Sequence, residues 1–150
     1  KDNPISEEAL YGLTLCSRNQ GDSLKAFDYV NELLKLNPNH SEALNQFGLI
    51  MVEQEKLSDA RKAFIAAIEI TPGFVEVQRN LAELYILEEN YDTGVQTYLR
   101  ILKNHPEDIP SLLRMAELNR EANNTIEASE WAKIVLELEP EHPFANQFIS

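Results

Sequence analysis

Cysteine is nearly absent from this 150-residue chain: Cys16 stands alone, so no internal disulfide framework can hold the fold together. One thiol fits a reducing compartment. No apolar run approaches the ~18–20 residues a bilayer span needs; the longest, FGLIMV at 47–52, has six. Basic residues are scarce, 13 against 25 acidic, for a net charge of −12. Nucleic acid phosphates demand clustered Lys and Arg, so nucleic acid is excluded as a partner. An acidic membrane surface is disfavoured on the same ground. The chain opens with neither Met nor a signal-peptide pattern, and the expectation is an excised piece of a longer, cytoplasmic protein.

What the chain does hold is ordinary for a folded protein, 43% hydrophobic and 25% charged. A domain this long would bury about 70% of its unfolded surface. The prolines are not ordinary. Pro4, Pro38, Pro72, Pro106 and Pro140 recur every 34 residues and account for five of the seven. Self-similarity at a fixed period outranks any local motif. Cut into segments 7–40, 41–74, 75–108 and 109–142, the chain agrees with itself in column after column. One column is small: Thr14, Gly48, Ala82 and Ala116. So is another: Ala26, Ala60, Gly94 and Ala128. Large apolar columns follow, Val30, Phe64, Tyr98, Ala132 and then Leu33, Ala67, Ile101, Val135.

Apolar residues spaced by three, four and seven mark amphipathic helices rather than strands. Each segment also breaks in its middle, at NQGDS, EQEKLS, EENYD and EANNT, where Asp22, Asn90 and Asn124 suit helix N-caps. The spacing predicts first helices over 8–20, 42–54, 76–88 and 110–122, and second helices over 23–36, 57–70, 91–104 and 125–138. Gly48 and Gly94, unfavourable in helix interiors, mark a close crossing of the two helices in each hairpin.

These columns resemble the tetratricopeptide repeat, a 34-residue helix–turn–helix with the pattern W-x2-L-G-x2-Y…A-x3-F…P. Segment 41–74 carries Leu44 for the Trp, Phe47 for the Leu, Gly48, Met51 for the Tyr, then Ala60, Phe64, Ala67 and Pro72. Segment 75–108 keeps Leu81, Ala82, Tyr85, Tyr98 and Pro106. The outer segments place Ser17 and Asn119 where an aromatic is common. The resemblance implies an all-α fold, an α–α superhelix of four helix–turn–helix repeats in one domain. Residues 143–150 add a partial helix that caps the array or begins a further repeat. It also implies a concave groove lined by the first helices, which binds a protein or peptide. On that basis the groove residues are Asn45, Gln46, Leu49, Arg79, Asn80, Glu83, Leu113, Arg114 and Glu117. Arg79, Asn80 and Arg114 form its expected centre.

One known groove chemistry is excluded. Relatives that grip acidic chaperone tails use a carboxylate clamp of Lys, Asn, Asn, Lys and Arg. The matching places hold Tyr11, Leu15, Gln46, Glu76 and Asn80, or one repeat later Asn45, Leu49, Asn80, Pro110 and Arg114. Both lysines are gone in either register. The acidic balance instead favours a neutral or basic partner.

Chemistry-bearing residues form no constellation. His40, His105 and His142 fall in the turns between repeats. The HSE at 40–42 lacks the P-C-x-x-C partner of zinc deaminases, and Pro140 and Pro143 interrupt the EPEH at 139–142. Glycine-rich phosphate loops are absent. Cys16 shares a column with Ile50, Leu84 and Leu118 and is expected to be a buried small hydrophobe. The expectation is therefore a non-catalytic binding scaffold with neither metal nor cofactor. Two alternatives stand beside it: the docking or regulatory arm of a larger enzyme of glycosyltransferase or methyltransferase type, and a self-assembling scaffold.

Overall fold

The computed structural model describes residues 4–149 and contains no strand among them. Eight α-helices run α1 Glu7–Asn19, α2 Ser23–Leu36, α3 Ser41–Glu53, α4 Leu57–Ile70, α5 Val75–Leu87, α6 Tyr91–Asn104, α7 Ile109–Glu121 and α8 Thr125–Leu138. A single turn of 3-10 helix, η1, follows at Ala145–Phe148, where the sequence promised a partial helix. All four second helices keep their expected bounds, and each first helix starts and ends one residue early. The early start of α3 has a visible cause. His40 acts as its N-cap, with Nδ1 accepting from the Ala43 amide at 3.2 Å, a role for which histidine carries no sequence signal.

Of the expected caps, Asp22 accepts from the Lys25 amide at 3.1 Å. Asn90 and Asn124 stand at N-cap positions, but neither side chain reaches a backbone amide. Asn90 Oδ1 accepts from the Thr93 hydroxyl instead. The turns inside the hairpins share one conformation. Gly21, Glu55, Glu89 and Asn123, spaced by 34, all have φ between 60° and 75°. After α1, the amide of Gly21 bonds the Arg18 carbonyl and that of Asp22 bonds the Ser17 carbonyl. This is a Schellman closure, which satisfies carbonyls the helix end would strand. Glu55 with Lys56 and Asn123 with Asn124 repeat it.

The chain divides at Glu88/Glu89 into two compact units. In the first, α1 packs on α2, α3 on α4, α2 on α3 and α4 on α5. In the second, α6 packs on α7, α7 on α8 and α8 on η1. The columns read from sequence are the core: Val30, Leu33, Phe64, Ala67, Ala132 and Val135 are fully buried. Gly48 shows why its column is small. A Cβ there would lie 2.4 Å from the Phe64 ring, closer than atoms approach.

Cys16 corrects the sequence reading, because it is exposed. Its column partners Ile50, Leu84 and Leu118 are buried. At the other end, Ala145 of η1 fills the slot held by Ala43, Val77 and Ser111, all fully buried. Arg120 then lies 4.5 Å over the Phe148 ring.

Candidate functional site

In the first unit, α1, α3 and α5 run side by side, joined by polar side chains as well as by the core. Arg18 donates through Nη1 to Gln46 Oε1 at 2.7 Å. The same guanidinium holds Glu53 Oε1 through Nη2 at 2.7 Å and Nε at 3.2 Å. Ser23 donates to the other oxygen of Glu53 at 2.9 Å. One carboxylate thus ties α1, α2 and α3. Between α3 and α5, Asn80 donates to Asn45 Oδ1 at 2.8 Å, and Asn45 donates to Glu76 Oε1 at 3.4 Å.

Asn45 and Gln46, expected in the groove, are therefore buried, at 2% and 6% exposure. Their amides are engaged between helices rather than presented to solvent. Asn80, Arg79 and Glu83 are half-buried on the same unit. Nearby, burial first, and then the Glu42 and Glu76 carboxylates, push the Tyr11 phenol above its ordinary value.

Beyond the amide ladder, the side chains of α3 and α5 part around a cavity of about 200 Å3. Its walls are Leu49, Val52, Leu84 and Leu87, and Phe64 lies at its floor. Asn80 and Glu83 complete the lining with polar groups. Three expected groove residues, Leu49, Asn80 and Glu83, thus meet at one place. Leu49 and Val52 also pack on the core, while Leu87 stays 57% exposed. Phe64 reaches this cavity because Gly48 yields it the space. An apolar cavity with a polar edge suits one hydrophobic side chain of an incoming segment.

In the second unit, Arg114 donates to Glu117 at 3.2 Å and lies 3.6 Å from Glu121. Leu113 packs against the cluster of Ala116, Ala132 and Phe148. Among the described residues, no three His, Cys, Asp or Glu side chains gather closely enough to hold a metal ion. Nor is any helix long and apolar enough to cross a membrane. Sequence reading missed Trp131, half-buried on α8 beside a second and larger cavity. Its signal was present in Asn119, which stands in the place of an aromatic.

Comparison with known proteins agrees with this architecture. Two family models described as tetratricopeptide repeat match residues 8–40 and 51–116. Human protein O-mannosyl-transferase TMTC3 is 30% identical over 101 residues, 67% of this chain. The chain spans only 11% of that relative's length. Among solved structures, a tetratricopeptide repeat protein of Parabacteroides merdae superposes with a TM-score of 0.79 at 20% identity, covering 95% of this chain and 57% of that one. Pseudomonas aeruginosa pilF superposes with a TM-score of 0.80 at 16% identity, covering 97% and 67%.

Proposed function

The chain belongs to the tetratricopeptide repeat family, and from that premise we propose a non-catalytic module that binds a protein or peptide partner along the first helices. The observation that carries this reading is the cavity between α3 and α5, apolar within and edged by Asn80 and Glu83. The ladder of Arg18, Gln46, Asn45 and Asn80 fixes those helices in advance. A preformed site orders little on binding and so keeps the entropic cost low. In this reading Asn45 and Gln46 position their neighbours, while Leu49, Asn80, Glu83 and Leu87 meet the ligand. Arg79 stands on the same unit, and Leu113, Arg114 and Glu117 stand on α7 of the second unit. A net charge of −12 favours a neutral or basic ligand.

Affinity capture from native lysate tests the reading, with the wild-type chain and an Asn80→Ala/Leu87→Asp variant as baits. A partner held by the first and lost by the second supports it. Equal retention by both baits overturns the site.

A second reading, the docking arm of a larger enzyme, is favoured by the likeness to an O-mannosyl-transferase. The full-length gene decides it, through the presence or absence of a catalytic domain.

A further inference from the structure

The larger cavity lies wholly in the second unit, between α6 and α8 over the last turn of α7. At about 620 Å3 it falls inside the ~300–1,000 Å3 range of ligand sites. Three positions explain why it is open. Asn119 occupies the column in which Met51 and Tyr85 supply bulk, and its amide turns back to donate to the Met115 carbonyl. Val95 and Ala122 occupy the columns in which, 34 residues earlier, Arg61 and Glu88 form an ion pair. A large ring and a salt bridge are thus both missing at one place. What they leave is apolar, formed by Val95, Leu99, Leu118 and Trp131.

The mouth has a different character. Tyr91 is 54% exposed there, and Glu121 and Glu127 are among the lining residues. Arg114 neutralises part of Glu121 from 3.6 Å. Glu127, exposed on α8, adds its full charge within a molecule of net charge −12. Aromatic faces beside carboxylates attract a cation, most strongly on tryptophan, while the apolar interior takes its hydrocarbon neighbour. Trp and Tyr are also the residues that most often dominate binding energy at interfaces.

We infer that this cavity docks a basic, amphipathic peptide segment of a partner protein. An apolar side chain of the segment enters against Val95, Leu99 and Trp131, and an adjacent Lys or Arg lies between Glu127 and the aromatic rings. The site draws on both second helices of this unit, α6 and α8, and on α7.

Trp131 is the only tryptophan of the chain, so its fluorescence reports directly on this place. The probe is an acetylated, amidated hexapeptide alternating Leu and Arg, titrated at about 0.15 M salt to screen distant charges. Two control peptides replace Leu by Ser or Arg by Glu. The expected result is a saturable change in Trp131 emission with the Leu-Arg peptide and none with either control. Asn119→Tyr, which refills the hole, and Val95→Arg, which places a cation in it, should each weaken binding about tenfold. Circular dichroism identifies a misfolded variant, and the half-buried site of Val95→Arg keeps one informative variant available. Glu127→Gln should weaken binding. A silent Trp131, undiminished binding in both cavity variants, or equal binding of the Ser-Arg peptide would overturn the proposal.

Discussion

Gly48 and Glu55 show opposite consequences of one repeated geometry. The missing side chain of Gly48 is what lets the Phe64 ring sit against α3, with no room for a Cβ. Gly48→Ala gains helix propensity of about 1 kcal/mol. It also drives a methyl into the fully buried Phe64 ring, which must shift to admit it. Overpacking should win, with a net loss of about 1–3 kcal/mol in a denaturant melt. Glu55 is the reverse case: a residue with a Cβ held at φ 60°, where its counterpart Gly21 sits at 75° without strain. That conformation costs an L-residue roughly 1–2 kcal/mol, partly offset by the unfolded-state freedom a glycine brings. Glu55→Gly should therefore stabilise the protein by about 0.5–1 kcal/mol, read as a higher melting midpoint. Of these two positions the sequence announced the first, since a helical glycine demands a reason. It hid the second, because nothing in EQEKLS marks its third residue as left-handed.

Helix ends and helix pairs set the next level. Asp22 caps α2 through the Lys25 amide, which, with the Lys25 ammonium at 3.4 Å, holds its carboxyl below the ordinary 3.8. A lowered folded-state value means the stabilisation is present above the ordinary value and lost as pH falls through the folded one. The stability difference between wild type and Asp22→Ala should accordingly be full at neutral pH and close in acid. Denaturant melts at a series of pH values check it; a gap that survives strong acid would contradict the capping role. Between helices, Arg18 and Glu53 form a part-exposed pair that is reinforced by Gln46 and Ser23. Networks of this kind exceed simple surface pairs, so a double-mutant cycle with alanine at both positions should return a coupling of about 0.5–1 kcal/mol. Element bounds were legible because the 3.6-residue pattern and the prolines agree at each hairpin. The amide ladder was legible only in part. Period places Asn45 and Gln46 on the side of α3 near its neighbours, yet a one-dimensional repeat cannot separate a residue that faces a ligand from one that faces the next helix. Cys16 failed for the same reason: a column average predicts burial, and Cys16 is exposed where Ile50, Leu84 and Leu118 are not.

The excess of negative charge acts on the molecule as a whole. Twenty-five acidic against thirteen basic residues repel one another in the compact state. Screening should therefore raise the melting temperature as salt rises from roughly 0.02 to 0.3 M. A fall would mean that the ion pairs outweigh the general repulsion. The four matching corners at 21, 55, 89 and 123 carry a last implication. They make chain length a count of blocks rather than a continuous measure. Excising or duplicating one whole block of 34 leaves every surviving corner as it was. Inserting a single amino acid inside a rod, by contrast, swings everything after it through about 100° and turns its greasy side to water.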